Sequence, residues 1–89
     1  MSRYRIEILP SAFKELGNLP LKDRRRITHK IDTLADIPRP TGCRKLTGSE
    51  NIYRLRQGDY GVIYEVKDQV LLVLVIRVGH RRESYRRTP

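Results

Sequence analysis

This 89-residue chain is poor in the residues that build disulfide frameworks and metal sites. It contains one cysteine, Cys43, and two histidines. A single thiol excludes an internal disulfide and suits a reducing cytoplasm, where we expect the protein to reside. No group of His, Cys, Asp or Glu residues has metal-ligand spacing, so neither a structural zinc site nor another cofactor is expected.

Long apolar segments are also missing. The longest, Val70 to Ile76, has seven residues, far short of the ~20 that a membrane-spanning helix needs. Residues 1–9 lack the extended apolar core of a signal peptide. No Pro/Gly/Ser-rich linker and no internal repeat divides the chain. We therefore expect a single domain over residues 1–89 and no membrane partner.

Acidic residues are scarce beside basic ones. Ten Asp and Glu accompany nineteen Lys and Arg, which gives a net charge of +9. The excess is +4 up to Cys43 (nine bases, five acids) and +5 after it (ten bases, five acids), so it is spread over the whole chain. Self-repulsion of this size on a short chain predicts a polyanionic partner, nucleic acid before acidic protein.

Hydrophobic periodicity predicts one strand and two helices in the first half. Residues Tyr4–Ile8 alternate with period two, and a short helix from Pro10 to Gly17 follows, with Phe13 and Leu16 as its apolar positions. A longer helix is predicted over Leu21–Ala35. Its core stripe consists of Leu21, Ile27, Ile31 and Leu34.

The second half predicts strands. Residues 36–49 hold two prolines and two glycines and are expected to form a loop. Three strands are then predicted over Ile52–Gln57, Tyr60–Val66 and Gln69–Val78, the last one central because it is apolar on both faces. This β-α-α-β-β-β order predicts an α+β fold, with a helical hairpin packed on one face of a small, mainly antiparallel sheet.

Register places basic side chains together. In the strand Ile52–Gln57, Tyr53 and Leu55 point to one face, and Arg54 and Arg56 point to the other. If the first pair faces the helices, both arginines stand on the open face. Arg54, Arg56 and Arg81 then either converge on one cationic surface or are three unconnected surface arginines. The carboxyl-terminal segment 77–89 adds five arginines against one glutamate, and its His80 is a candidate proton acceptor.

Three segments resemble the RelE toxins of the RelE/ParE superfamily, and the resemblance extends over essentially the whole chain. They are Lys45-Leu46-Thr47-Gly48, Tyr60-Gly61-Val62-Ile63-Tyr64-Glu65-Val66 and Val75-Ile76-Arg77-Val78-Gly79-His80-Arg81-Arg82-Glu83-Ser84-Tyr85. The resemblance implies a RelE-like microbial ribonuclease fold and the toxin role in a type II toxin–antitoxin system.

The activity that this resemblance implies is metal-independent mRNA cleavage in the ribosomal A site, which inhibits translation. The RNA 2′-hydroxyl attacks the adjacent phosphate and leaves a 2′,3′-cyclic phosphate. The implied partners are mRNA, the 70S ribosome and an acidic, partly disordered cognate antitoxin. The alternative within the superfamily is a ParE-like inhibitor of DNA gyrase.

The same resemblance suggests residue roles. Arg54 and Arg56 fall where the family has lysines, and because arginine keeps its proton they are expected to clamp phosphate rather than act as a base. Arg81 corresponds to the arginine at the phosphate and leaving group, and Tyr85 to a tyrosine that stacks on a base. The general base is then Tyr85, His80 or a water. Further contacts with RNA or the ribosome are expected from Lys45, Arg77, Arg82, Arg86 and Arg87.

Position 61 departs from the family pattern. Gly61 stands where these toxins usually carry an arginine that lines the phosphate site. Loss of a bidentate donor to a transition-state dianion costs about 2–4 kcal/mol, or about 10²–10³ in rate. Gly61 therefore implies either a naturally weakened enzyme or a site altered to disable the toxin.

Overall fold

The computed structural model describes residues 3–80. Its elements are β1 (Arg5–Ile8), α1 (Pro10–Gly17), α2 (Leu21–Thr33), β2 (Arg44–Lys45), β3 (Ile52–Gln57), β4 (Tyr60–Lys67), a 3₁₀ turn (Asp68–Val70) and β5 (Leu72–His80). The predicted α+β class is confirmed, with one short strand, β2, added to the expected order. None of the helices in this part of the chain is long and apolar enough to cross a membrane.

The five strands form one sheet in the order β1-β5-β4-β3-β2. β1 runs parallel to β5, and the other neighbouring pairs are antiparallel. β5 therefore lies between β1 and β4, as expected for a strand that is apolar on both faces. The turn from β3 to β4 needs only Gly58 and Asp59, because Gly58 adopts a φ of 61° that other residues reach only with strain.

Both helices pack on the same face of this sheet. From α1 the buried residues are Ala12 and Leu16, and from α2 and its end they are Ile27, Ile31 and Leu34. They cover the alternate residues of the central strands that point toward them, namely Leu55, Val62, Tyr64, Val66, Val73, Val75 and Val78. Each such side chain contributes about 1.5–3 kcal/mol through burial. This apolar layer therefore stabilises the sheet, including the positions of the side chains on its opposite face.

Two residues of the predicted helical stripes are not in this core. Phe13 is 66% exposed and Leu21 is 54% exposed. Ala12 lies one helical turn before Leu16 and is buried with it. Phe13 is the next residue, and because successive side chains of a helix are about 100° apart, it points away from the sheet. Leu21 lies about 120° around α2 from Ile27. Helix α2 also ends at Thr33 rather than at Ala35.

The loop and turn boundaries differ from the prediction as well. Residues 36–49 contain β2, which pairs with β3 but is too short for any alternation to reveal it. The connection from β4 to β5 is longer than the expected turn at 67–68, because Asp68–Val70 forms a 3₁₀ turn and Leu71 takes a φ of 51°. β5 consequently starts at Leu72 and continues past Val78 to His80.

A β-bulge in β5 changes which side chains face the helices. Tyr64 lies opposite Val75, whereas the preceding Ile63 lies opposite Arg77, so Ile76 is an extra residue in the ladder. An extra residue reverses the alternation of everything beyond it. Val75 and Val78 therefore both point into the core, and Arg77, opposite Ile63, takes a position on the open face.

Candidate nucleic-acid interface

The sheet face opposite the helices carries arginines from three strands. In β3, Arg54 and Arg56 flank Leu55, which is 2% exposed on the helix side, so both arginines point to the open face. Arg44 of β2 is the direct partner of Arg54. Arg77 of β5 pairs with Ile63, which in turn pairs with Arg54. Cross-strand partners share a face, so these four cations belong to one surface.

Three of these arginines surround a concavity. Arg44, Arg54 and Arg56 line it together with Gly42, and its volume is about 370 Å³. Arg44 was not among the residues that the sequence indicated, because it lies in the segment predicted to be a loop. Its neighbour Lys45 was proposed instead, but Lys45 is the partner of Tyr53 and belongs to the opposite face.

Tyrosine and arginine contacts hold the segment that leads into β2. Arg39 donates to both carboxylate oxygens of Asp68, at 3.1 and 2.7 Å, and to the Tyr53 hydroxyl at 2.8 Å. Its guanidinium lies 5.2 Å from the centre of the Tyr53 ring. The Tyr64 hydroxyl donates to the carbonyl of Pro38 at 2.8 Å. The chain just before Arg44 is therefore tied to the core side of the sheet.

The charges in this network shift two pKa values. Hydrogen bonds from Arg39, and then from Tyr4, lower the pKa of the Asp68 carboxyl below its ordinary value. Burial, first of all, raises the pKa of the Tyr64 hydroxyl. Asp68 is therefore ionised and Tyr64 neutral at physiological pH, which are the forms that make these contacts.

Gly61 lies on the open face in β4, next to the turn from β3. It is the partner of Arg56 on one side and of Gly79 on the other. A Cβ atom built at position 61 meets nothing closer than the Leu55 carbonyl oxygen, at 4.0 Å. Its φ is not among the positive values found at other glycines. Neither backbone conformation nor crowding requires glycine here, so the position has room for a larger side chain.

Arg77 is engaged by an acidic residue of the helix layer. Its guanidinium forms an ion pair with Glu15 of α1 at 3.5 Å, and both side chains are 32% exposed. The same carboxylate accepts a hydrogen bond from the backbone N–H of Val78. Arg77 therefore shares its charge with the helix layer, and the cationic character of the face is concentrated toward β3 and β2.

His80 is not brought together with the β3 arginines. It is the partner of Tyr60, and the bulge places both rings on the helix side, 5.7 Å apart at an angle of 74°. Both residues line a cavity of about 220 Å³ beside Asp23 and Arg26 of α2. The Tyr60 hydroxyl donates to Asp23 at 3.3 Å, and burial together with this carboxylate raises the pKa of Tyr60.

Five proposed site residues, Arg81, Arg82, Tyr85, Arg86 and Arg87, lie outside the described residues, and their roles stay predictions. Over residues 3–80, no three or more His, Cys, Asp or Glu side chains lie together in a group that could hold a metal ion.

Comparison with known proteins gives the family. Residues 6–85 match the family model of the ParE toxin of the type II toxin–antitoxin system parDE. The chain is 31% identical to the mRNA interferase toxin RelE of Escherichia coli K12 over 83 residues, which cover 91% of this chain and 86% of that protein. It is 29% identical to toxin RelE of Mycobacterium tuberculosis over 87 residues, 97% of this chain and 90% of that one.

A solved structure agrees with these relatives. The crystal structure of the archaeal RelE–RelB complex from Pyrococcus horikoshii contains a chain that matches with a TM-score of 0.79 and 32% identity. The match covers 91% of this chain and 97% of that one. The resemblance seen in the sequence is thus confirmed, and the chain belongs to the RelE/ParE family of type II toxin–antitoxin toxins.

Proposed function

We propose that this protein is a ribosome-dependent mRNA endonuclease that cleaves in the A site and thereby inhibits translation. The observation that carries the proposal is the arginine-lined concavity of Arg44, Arg54 and Arg56 on the open sheet face. It lies in a fold shared with a relative named as an mRNA interferase toxin. A cluster of guanidinium groups on a rigid sheet is suited to holding a phosphodiester and stabilising added negative charge on it.

The proposed chemistry uses the RNA's own 2′-hydroxyl as nucleophile. Its oxygen bonds to the adjacent phosphorus while the bond to the 5′-oxygen of the next nucleotide breaks, giving a 2′,3′-cyclic phosphate and a free 5′-hydroxyl. Because the nucleophile and leaving group both belong to the substrate, no metal ion is included in the proposal. Arg54 and Arg56 would stabilise the charge that develops on the phosphorane.

Proton transfer is assigned to the carboxyl-terminal segment. Arginines keep their protons, so Arg54 and Arg56 are poor candidates for the base. His80 lines the helix-side cavity rather than the arginine-lined one. That placement supports Tyr85 or a water as the base, with Arg81 at the phosphate and leaving group.

We infer that the proposed activity is weak in the present sequence. The side chain missing at position 61 would stand beside Arg56, in the row Arg56–Gly61–Gly79. A Cβ atom at position 61 meets no atom closer than 4.0 Å, so a side chain can start there without displacing the backbone.

The proposed partner in the cell is an acidic, partly disordered antitoxin. The solved relative from Pyrococcus horikoshii is a RelE–RelB complex, and the net charge of +9 on this chain favours an acidic binder. A segment that folds on binding can cover a large surface of a small domain, either around the helices or in place of the carboxyl-terminal segment.

The second candidate function is inhibition of DNA gyrase. It is favoured by one observation, the match to a family model described as the ParE toxin. This activity would require binding to a protein target rather than phosphodiester cleavage, so the two candidates predict different products.

One experiment separates the candidates. Purified 70S ribosomes carrying a defined mRNA are incubated with the wild-type protein or with Gly61→Arg, and cuts are mapped by primer extension; gyrase supercoiling is assayed in parallel. The proposal expects A-site cuts that are strong with Gly61→Arg. Absence of cuts with both proteins would contradict it, and loss of supercoiling would favour the gyrase inhibitor.

A further inference from the structure

The partnership of Arg44 with Arg54 is electrostatically unfavourable by itself. Like charges on directly opposed residues of antiparallel strands destabilise a sheet. Arg44 is exposed in the two-residue strand β2. Among the ion pairs of residues 3–80, the acidic residues engage Arg3, Arg5, Arg39 and Arg77, and none engages Arg44 or Arg56. Arg44 and Arg56 therefore bring to the concavity positive charge that no carboxylate among residues 3–80 pairs with.

Two acidic residues lie on the same face. Glu65 of β4 and Glu7 of β1 are both partners of Leu74 in β5, so they share one row of the open face. This row lies two residues, about 7 Å, along the strands from the row that contains Arg54 and Arg44. Glu7 is paired with Arg5 at 3.1 Å, so the negative charge of this row is partly compensated. A polyanion is attracted to the arginine row, which Arg44 extends from β3 to β2.

We propose that Arg44 extends the active surface by a second phosphate subsite. It binds the phosphate of single-stranded RNA that neighbours the scissile phosphate held by Arg54 and Arg56. Arg44 lies one interstrand step from Arg54, about 5 Å at the backbone, and the long side chains of the two residues can hold successive phosphates of one strand. The inference rests on the proposed function for its substrate, and it adds a positioning residue to that site.

An alternative role for Arg44 is protection of a sheet edge. Exposed basic residues on edge strands prevent pairing with other chains, and Lys45 serves that purpose equally well. The two roles differ in one respect: edge protection depends on charge at either position, whereas the subsite depends on the face to which the side chain points.

Adjacent residues of β2 provide the matched test. Arg44→Gln and Lys45→Gln remove one charge each, both from exposed positions, but only Arg44 lines the concavity. The probe is a single-stranded RNA with 2′-O-methyl groups throughout, which cannot be cleaved by 2′-hydroxyl attack. Its binding is titrated at increasing NaCl concentrations with the wild type and both variants. Thermal melting of each variant checks that the fold is kept.

The expected result is specific to Arg44. Each phosphate contact to a single strand contributes about 0.7 to the slope of log K against log salt. The slope is therefore expected to fall by about 0.7 for Arg44→Gln and to stay unchanged for Lys45→Gln. Equal slopes in the two variants, or no measurable binding by the wild type, would overturn the subsite.

Failure of the subsite and failure of the proposed nuclease are distinguishable. The probe resists cleavage, so the salt slopes do not depend on catalysis. An Arg44-specific slope without ribosomal cleavage by any variant supports the subsite and contradicts the nuclease. Ribosomal cleavage with equal slopes for the two variants supports the nuclease and contradicts the subsite.

Discussion

Glu15 of α1 accepts a hydrogen bond from the backbone N–H of Val78 at 3.0 Å, across 63 positions of sequence. β1 pairs with β5 only as far as Val75. Beyond that point, no strand among the described residues lies on the outer side of β5, and Glu15 satisfies one of the donors there. A helix side chain thus takes the place of a neighbouring strand, close to the open face that we propose to bind RNA.

Replacement of Glu15 is expected to destabilise the fold. Glu15→Ala leaves the Val78 N–H without its acceptor and should lower the free energy of unfolding by about 1–2 kcal/mol. Glu15→Gln should cost less, because its amide oxygen can still accept the bond. Urea denaturation measures both, with Lys14→Ala, an exposed neighbour in α1, as control. A Glu15→Ala protein as stable as the control would contradict this role.

Gly61→Arg is expected to raise mRNA cleavage on programmed ribosomes by about 10²–10³. The added guanidinium supplies a bidentate donor beside Arg56, and a Cβ atom at position 61 meets no atom closer than 4.0 Å. Gly61→Gln adds a side chain with one amide but no charge and is the matched control. If Gln increases the rate as much as Arg does, side-chain volume rather than charge is responsible.

Acid is expected to remove the stabilisation that Asp68 provides. Its pKa is lowered in the folded state, first by the hydrogen bonds from Arg39. Such a group stabilises the fold above its ordinary unfolded pKa, ~3.9, and this contribution is lost as the pH falls through the lowered folded value. The urea midpoint of the wild type should therefore decline more steeply in acid than that of Asp68→Asn. Parallel declines would show that Asp68 is not linked to folding.

Tyr64→Phe is expected to lower the free energy of unfolding by about 1 kcal/mol. The Tyr64 ring is fully buried, and loss of its hydroxyl leaves the Pro38 carbonyl without that donor. Tyr53→Phe is a useful comparison, because it loses a bond to the more exposed Arg39. Chemical denaturation should show the larger effect at Tyr64. The reverse order would mean that the loop before β2 is held chiefly by Arg39.

Leu71→Gly is expected to stabilise the protein by about 0.5–1 kcal/mol. Leu71 has a φ of 51°, and left-handed backbone costs a residue with a Cβ about 1–2 kcal/mol. The greater freedom of glycine in the unfolded chain offsets part of this gain. Val70→Gly, at an exposed neighbour that does not have positive φ, should destabilise instead. Thermal melting of the two variants decides between relief of strain and a general effect of glycine.

Much of the architecture followed from patterns contained within single segments. The spacing of Ile27, Ile31 and Leu34 predicted the buried side of α2, and all three are in the core. The alternation of β3 predicted that Arg54 and Arg56 share a face opposite Leu55, as observed. Such patterns are sufficient because the 3.6-residue helix and the two-residue strand repeat determine which side chains point together. The family, too, was identified from sequence motifs alone.

The composition of the candidate site depended on how distant segments pair. Arg44 joins the arginine-lined concavity because β2 lies against β3, and two residues of strand carry no periodic signal. The extra residue Ile76 reverses the alternation of β5, which turns His80 to the helix side and Arg77 to the open face. A bulge is set by the register of two strands and by the core that they share. The sequence by itself therefore determined the elements, their buried stripes and the family. Only the tertiary structure decided which charged side chains meet on one face, because a shift of one residue in register moves a side chain to the opposite side of the sheet.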